Sequence, residues 1–118
     1  MLHDDHDIAS KSLAADTVLS CIQAINKEDF DEARTYLDDN MTFSGVLGSR
    51  DSGDAYITDM KHMKLKYTIL KLFADGDDVC LLYDLVMSGK TIYCCGWYHV
   101  RDGRITMLRV VFDPRPFL

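Results

Sequence analysis

Apolar residues along the first half of the chain recur at helical spacing. From about Ser10 to Asn26, Val18, Ile22 and Ile25 fall at i, i+4 and i+7, one face of a helix. Asn26-Lys27-Glu28 interrupts the pattern. Asp29 followed by Glu32 reads as a capping box that opens a second helix, with Phe30, Ala33 and Leu37 as its apolar stripe. Met41–Ser44 predicts a short strand and Gly45–Arg50 a loop. A third helix is expected from about Ser52 to Lys64, burying Tyr56, Ile57, Met60 and Met63.

After Lys66 the period drops to two. Lys66–Ala74, Val79–Met87, Thr91–Arg101 and Arg104–Asp113 read as strands, joined at Asp75-Gly76-Asp77-Asp78, Ser88-Gly89 and Asp102-Gly103. Pro114 and Pro116 end the last of them. Three helices followed by an antiparallel meander predict an α+β domain with the helices on one sheet face. Residues 1–118 form a single domain in this reading, with residues 1–8 a loose N-terminal tail.

Alternation makes register decisive, because a slip of one residue moves every side chain to the other face. Asp102-Gly103 fits a two-residue turn pairing Arg101 with Arg104, or a bulged turn pairing Val100 with Arg104. The bulged turn gathers Cys94, Gly96, Tyr98 and Val100 with Thr106, Leu108, Val110 and Phe112 on a face without charge. Leu81, Tyr83, Leu85 and Met87 join it from the neighbouring strand. Burying that face avoids desolvating ions, so it is assigned to the core. The outer face then receives Leu82, Asp84, Val86, Tyr93, Cys95, Trp97, His99, Arg101, Arg109 and Val111. Its apolar strip predicts a homodimer interface. If Ser88 opposes Thr91, Asp84 and Arg109 flank Cys95 and are expected to pair across it.

Composition narrows the function classes. Hydrophobic residues are 47% and charged residues 27% of 118, ordinary for a globular protein. The formal charge of −6 sits in the first forty residues, with ten acids and three bases against nine and ten in the rest. No basic stripe exists for nucleic acid, and no apolar run approaches the ~20 residues of a membrane span. The acidic start lacks the apolar stretch of a signal peptide. Cys21, Cys80, Cys94 and Cys95 lack zinc-type spacing and read as reduced, buried thiols of a cytoplasmic protein. No motif implies a cofactor. His3-Asp4-Asp5-His6-Asp7 holds metal-capable side chains without a preformed shell, so no metal site is assigned.

Several short motifs occur in a suggestive order: Ile25-Asn26-Lys27-Glu28-Asp29-Phe30, Gly53-Asp54-Ala55, Ala74-Asp75-Gly76-Asp77, Val100-Arg101-Asp102-Gly103-Arg104-Ile105 and Phe112-Asp113-Pro114. Together they resemble the nuclear transport factor 2-like superfamily, in particular its SnoaL-like polyketide cyclase branch. The resemblance implies a cone, cystatin-like: a curved antiparallel sheet with three helices on its concave face. It also implies an acidic residue inside the cone on Thr91–Arg101. Counted back from Asp102-Gly103 that place falls on Gly96, and counted forward from Ser88-Gly89 it falls on Trp97. Neither side chain transfers a proton. The base that related isomerases carry near the first strand has no counterpart in Met41-Thr42-Phe43-Ser44.

The candidate ligand pocket is therefore Phe43, Tyr56, Met60, Tyr83, Gly96, Tyr98, Leu108 and Phe112. Tyr56, Tyr83 and Tyr98 read either as hydroxyls orienting a ligand or as core tyrosines. His62 reads as a base or as a solvated residue at a helix C-terminus, and His99 as an outer-face residue without an obvious partner. Two functional readings follow. One is a protein that binds a small, weakly polar molecule inside the cone, or a cyclase- or isomerase-like enzyme of the same fold. The other is a dimerising interaction module with a filled core. A void or its absence separates them.

Overall fold

The helical spacing of Val18, Ile22 and Ile25 is realised in α1 (Asp4–Asn26), whose buried stripe is Ala14, Val18, Cys21, Ile22 and Ile25. The structure, a computed structural model, describes the backbone of residues 4–118 and the side chains of residues 13–118. Helix α1 starts at Asp4, six residues before the expected Ser10, and so takes in most of the expected loose tail. A run of acids favours a helix N-terminus through the macrodipole. The His3–Asp7 side chains lie outside the described residues.

The C-terminus of α1 is closed by Glu28 in a left-handed conformation (φ 60°), with the Asp29 N–H donating to Ala24 O at 2.8 Å. Asp29 then caps α2 (Phe30–Thr35), its carboxylate accepting from the Glu32 N–H at 3.2 Å. Helix α2 stops at Thr35, so Leu37, expected in its stripe, instead opens strand β1 (Leu37–Ser44), four residues before the expected Met41. The short β2 (Ser49–Arg50) makes a hairpin with it out of the expected loop. Ser52 caps α3 (Gly53–Met63), accepting from the Ala55 N–H at 3.0 Å. The meander follows as β3 (Lys66–Asp75), β4 (Asp78–Met87), β5 (Lys90–Arg101) and β6 (Arg104–Phe112), and the chain ends in a short 3-10 turn, Arg115–Phe117.

The six strands form one curved, unclosed sheet in the order β2-β1-β6-β5-β4-β3. The meander is antiparallel as expected, while β1 returns beside β6 in parallel and makes the sheet mixed. The Ile105 N–H donates to Tyr36 O at 2.8 Å, where β1 begins its run along β6. Helix α1 lies across β3, β4, β5 and β6, and its Val18 shares one core with Leu37, Met41, Val79, Leu81 and Ile105, all almost wholly excluded from solvent. Each such aliphatic side chain contributes about 1.5–3 kcal/mol by burial.

Two registers differ from expectation. Asp102 and Gly103 both have positive φ (53° and 74°), the mark of a two-residue turn whose twist suits a hairpin, so Arg101 pairs with Arg104 at an exposed tip. The extra residue is absorbed farther on, at Thr106, between the pairs Val100–Ile105 and His99–Met107. The Thr106 hydroxyl donates to His99 O at 3.2 Å. The bulge restores the inward aspect of Leu108 and Phe112, with Ile105 rather than Thr106 beside Val100. Ser88-Gly89 is also a two-residue turn, and it pairs Met87 with Lys90. Asp84 consequently lies opposite Tyr93, and Arg109 opposite Trp97. Those β5 positions are four residues apart, roughly 13 Å along the strand, so the expected pairing across Cys95 does not form.

Candidate functional site

Buried side chains, among them Val79, Leu81, Tyr98, Val100 and Ile105, fill the cone towards the Asp102-Gly103 turn, and the cone opens at the other end beside the β1–β2 hairpin. The open end holds a cavity of about 300 Å³ between the β1–β2 hairpin, the last turns of α3 and the inner sheet face. Its wall includes Phe43, Met60, Leu65, Tyr67, Tyr83, Leu85, Met87, Val110 and Phe112. Val46 and Leu47, at the hairpin tip, roof one side. Both are largely exposed, at 44% and 58%. At the rim Arg50 Nε meets Asp59 Oδ2 at 2.8 Å, and the exposed His62 stands beside them.

Of the pocket residues expected from sequence, Phe43, Met60, Tyr83 and Phe112 line this cavity. Tyr56, Gly96, Tyr98 and Leu108 are buried and do not belong to its wall. Tyr56 instead packs its ring on Phe43, with centroids 5.2 Å apart. A Cβ at Gly96 would stand 3.2 Å from Tyr98 Cε1 and 3.3 Å from Tyr83 Cε1. Two tyrosine rings thus occupy the interior place where related enzymes carry an acid. Trp97, the other candidate for that place, points outward and is 46% exposed.

Tyr67 is the residue that sequence reading passed over. It lies on β3, lines the cavity and stacks on Tyr83 at 5.1 Å between centroids. Its backbone is held from outside the sheet, since Asn26 Nδ2 donates to Tyr67 O at 3.0 Å and Asn26 Oδ1 accepts from the Tyr67 N–H at 2.8 Å. The motif Ile25-Asn26 carried that signal, although nothing in it named its partner. Burial pushes the phenols of Tyr67 and Tyr83 well above the ordinary tyrosine value. They stay protonated at neutral pH, able to donate or accept a hydrogen bond but not to act as bases.

The outer face carries Leu82, Asp84, Val86, Tyr93, Cys95, Trp97, Arg109 and Val111 together, as their pairing partners require. Phe73, 55% exposed on β3 and opposite Cys80, extends the apolar strip. His99 has a partner after all. Its Nδ1 lies 2.9 Å from Asp78 Oδ1, which also accepts from Trp97 Nε1 at 2.9 Å. Asp78, expected in the turn, opens β4 directly opposite His99. His99 first, then the Trp97 N–H, hold the Asp78 carboxyl below the usual range. Cys21 and Cys94 are buried as expected, whereas Cys80 and Cys95 are partly exposed on the outer face. Among the described residues no three His, Cys, Asp or Glu side chains cluster as a metal site, and no helix is long and apolar enough to cross a membrane.

The sequence pattern of the SnoaL-like domain matches residues 18–108, from the core face of α1 into β6. The chain belongs to the SnoaL-like family. Among solved structures, this SnoaL-like protein is similar to an NTF2-like protein of unknown function from Cytophaga hutchinsonii. The two are 48% identical over 88% of this chain and 93% of the other, with a TM-score of 0.87. An LEH-like epoxide hydrolase of M. tuberculosis is 26% identical over 89% and 86% of the two chains, at a TM-score of 0.79. A protein of unknown function with a cystatin-like fold from Methylobium petroleophilum shares the fold alone, at 9% identity over 87% and 77%, with a TM-score of 0.79. No curated protein matches the sequence.

Proposed function

We propose that this SnoaL-like protein binds a small, weakly polar molecule in the open end of its cone. The observation that carries the reading is the cavity of about 300 Å³, at the lower end of the ~300–1,000 Å³ usual for ligand sites. Its wall is mostly apolar, and its rim charges Arg50 and Asp59 satisfy each other. Phe43, Met60, Tyr83 and Phe112 would meet the ligand. Tyr56, Gly96, Tyr98 and Leu108 would support them from behind. Tyr67 and Tyr83 supply hydroxyls for a ligand carbonyl or hydroxyl.

A cyclase- or isomerase-like reaction would need a base in the interior. Gly96 stands where the relatives' acid is expected, and the wall phenols are held protonated. A filled-core interaction module fits poorly with an open cavity. Native mass spectrometry of freshly purified protein should reveal a co-purified small molecule. A calorimetric screen of small apolar ligands should show binding that Tyr83→Phe weakens several-fold. Equal affinity in the two proteins would remove that hydroxyl from the site.

The outer face supports a second part of the proposal, a homodimer through Leu82, Val86, Tyr93, Cys95, Trp97 and Val111, with Asp84 and Arg109 at its margins. An apolar strip of this extent on a sheet face uncovered by helices favours twofold pairing. The free cysteines suit a cytoplasmic location.

A further inference from the structure

Two cysteines far apart in sequence meet on the outer sheet face. Cys80 on β4 stands opposite Trp97, and Cys95 on β5 stands opposite Leu82, so the two are diagonal neighbours across one pair of strands. Their sulfurs are 3.5 Å apart, in S–H···S contact. Both are partly exposed, whereas Cys21 and Cys94 are buried. Neighbouring Cys94 points to the opposite face and cannot compete for Cys95.

We propose that Cys80 and Cys95 are a reversible dithiol site, closed to an intramolecular disulfide by small-molecule disulfides such as oxidised glutathione. The Cys95 thiolate attacks one sulfur of the small disulfide, forms a mixed disulfide and expels one thiolate. The Cys80 thiolate then attacks Cys95 sulfur and expels the second. The protein loses two electrons and two protons, and the small disulfide is reduced to two thiols. Cys95 is the attacking sulfur because burial and the contact with Cys95 keep the proton on Cys80.

Closure draws the sulfurs together by roughly 1.5 Å, from contact to a bond of ~2.05 Å. Diagonal strand neighbours have backbones ~7–8 Å apart, beyond the ~4.4–6.8 Å usual for a bridge, so closure must draw the two strands together and the bond forms under strain. Strained, accessible disulfides are the easily reduced ones, which marks this pair as a switchable site rather than a permanent staple. The pair lies on the face assigned above to dimerisation, and exchange therefore proceeds from the dissociated chain.

The test uses the full chain at submicromolar concentration in a glutathione redox buffer. The expected product has lost two thiols and two hydrogens of mass, and peptide mapping joins Cys80 to Cys95. Trp97 is the sole tryptophan and the cross-strand partner of Cys80, so its fluorescence is quenched on oxidation and recovers with dithiothreitol. In Cys80→Ser, Cys95 holds glutathione as a stable adduct. Glutathione adducts accumulating on the wild-type chain would overturn the proposal. So would a Cys94–Cys95 link, or four intact thiols in folded protein under strongly oxidising buffer.

Discussion

Arg34 shows how much one side chain ties together in this fold. Its Nη2 meets Asp39 at 2.6 Å, its Nε meets Asp54 at 2.9 Å, and its Nη1 donates to Leu37 O at 2.9 Å. One guanidinium therefore joins α2, β1 and α3. It also explains Gly53, where a Cβ would stand 2.7 Å from Asp38 O and 3.0 Å from Arg34 Cζ. Hydrogen bonding to Arg34 holds the Asp39 carboxyl below its usual range. A carboxyl depressed in the folded state contributes stability above its unfolded pKa, and that contribution is lost as pH falls through the folded value. Urea midpoints measured from neutral pH down through the carboxylate range should fall for the wild type, and fall less steeply for Arg34→Met. Gly96 makes a second case. Tyr98 is packed on all sides and Tyr83 is backed by Tyr67, so Gly96→Ala should cost about 1–3 kcal/mol in thermal denaturation, the usual range for overpacking a core.

Among the elements, the change of period at Lys66 located every meander strand to within a residue of its observed ends. Caps at Asp29 and Ser52 placed the starts of α2 and α3. Alternation also put Tyr83, Leu85 and Phe112 on the inner face. It says nothing about height along the cone, which is why Tyr98 and Leu108 read as pocket although they lie in the packed end. The Gly45–Arg50 segment forms the cavity's roof only because β1 lies beside β6, a long-range parallel pairing without a local signature. The Thr106 bulge was illegible for a related reason. Turn residues report the turn, and the bulge compensates for it several residues later. Asn26 is the most informative link between elements, tying the end of α1 to β3 through both of its side-chain polar groups. Asn26→Ala removes both bonds and should lower the unfolding free energy by about 1–3 kcal/mol in urea titration.

For the molecule as a whole, the two sheet faces divide the work. The inner face holds core and cavity, while the outer face presents Phe73, Tyr93, Trp97 and Val111, each at least 46% exposed. Sedimentation velocity at micromolar concentration should show a dimer, and Trp97→Glu should shift it to monomer with unchanged circular dichroism. A wild-type monomer throughout that range would contradict the dimer. The sheet is also unclosed, and this has a consequence at its other boundary. An open edge offers backbone donors and acceptors to any extended chain, the route by which sheet proteins polymerise. On β3 that edge is guarded where it passes the cavity, because the Asn26 amide already occupies both the N–H and the C=O of Tyr67. Leu70 then breaks the ladder with a bulge. Removing the Asn26 amide therefore unmasks a template as well as weakening a joint. Asn26→Ala should form strand-paired assemblies, detectable by rising light scatter and an amyloid-type dye response, under conditions where Trp97→Glu stays dispersed.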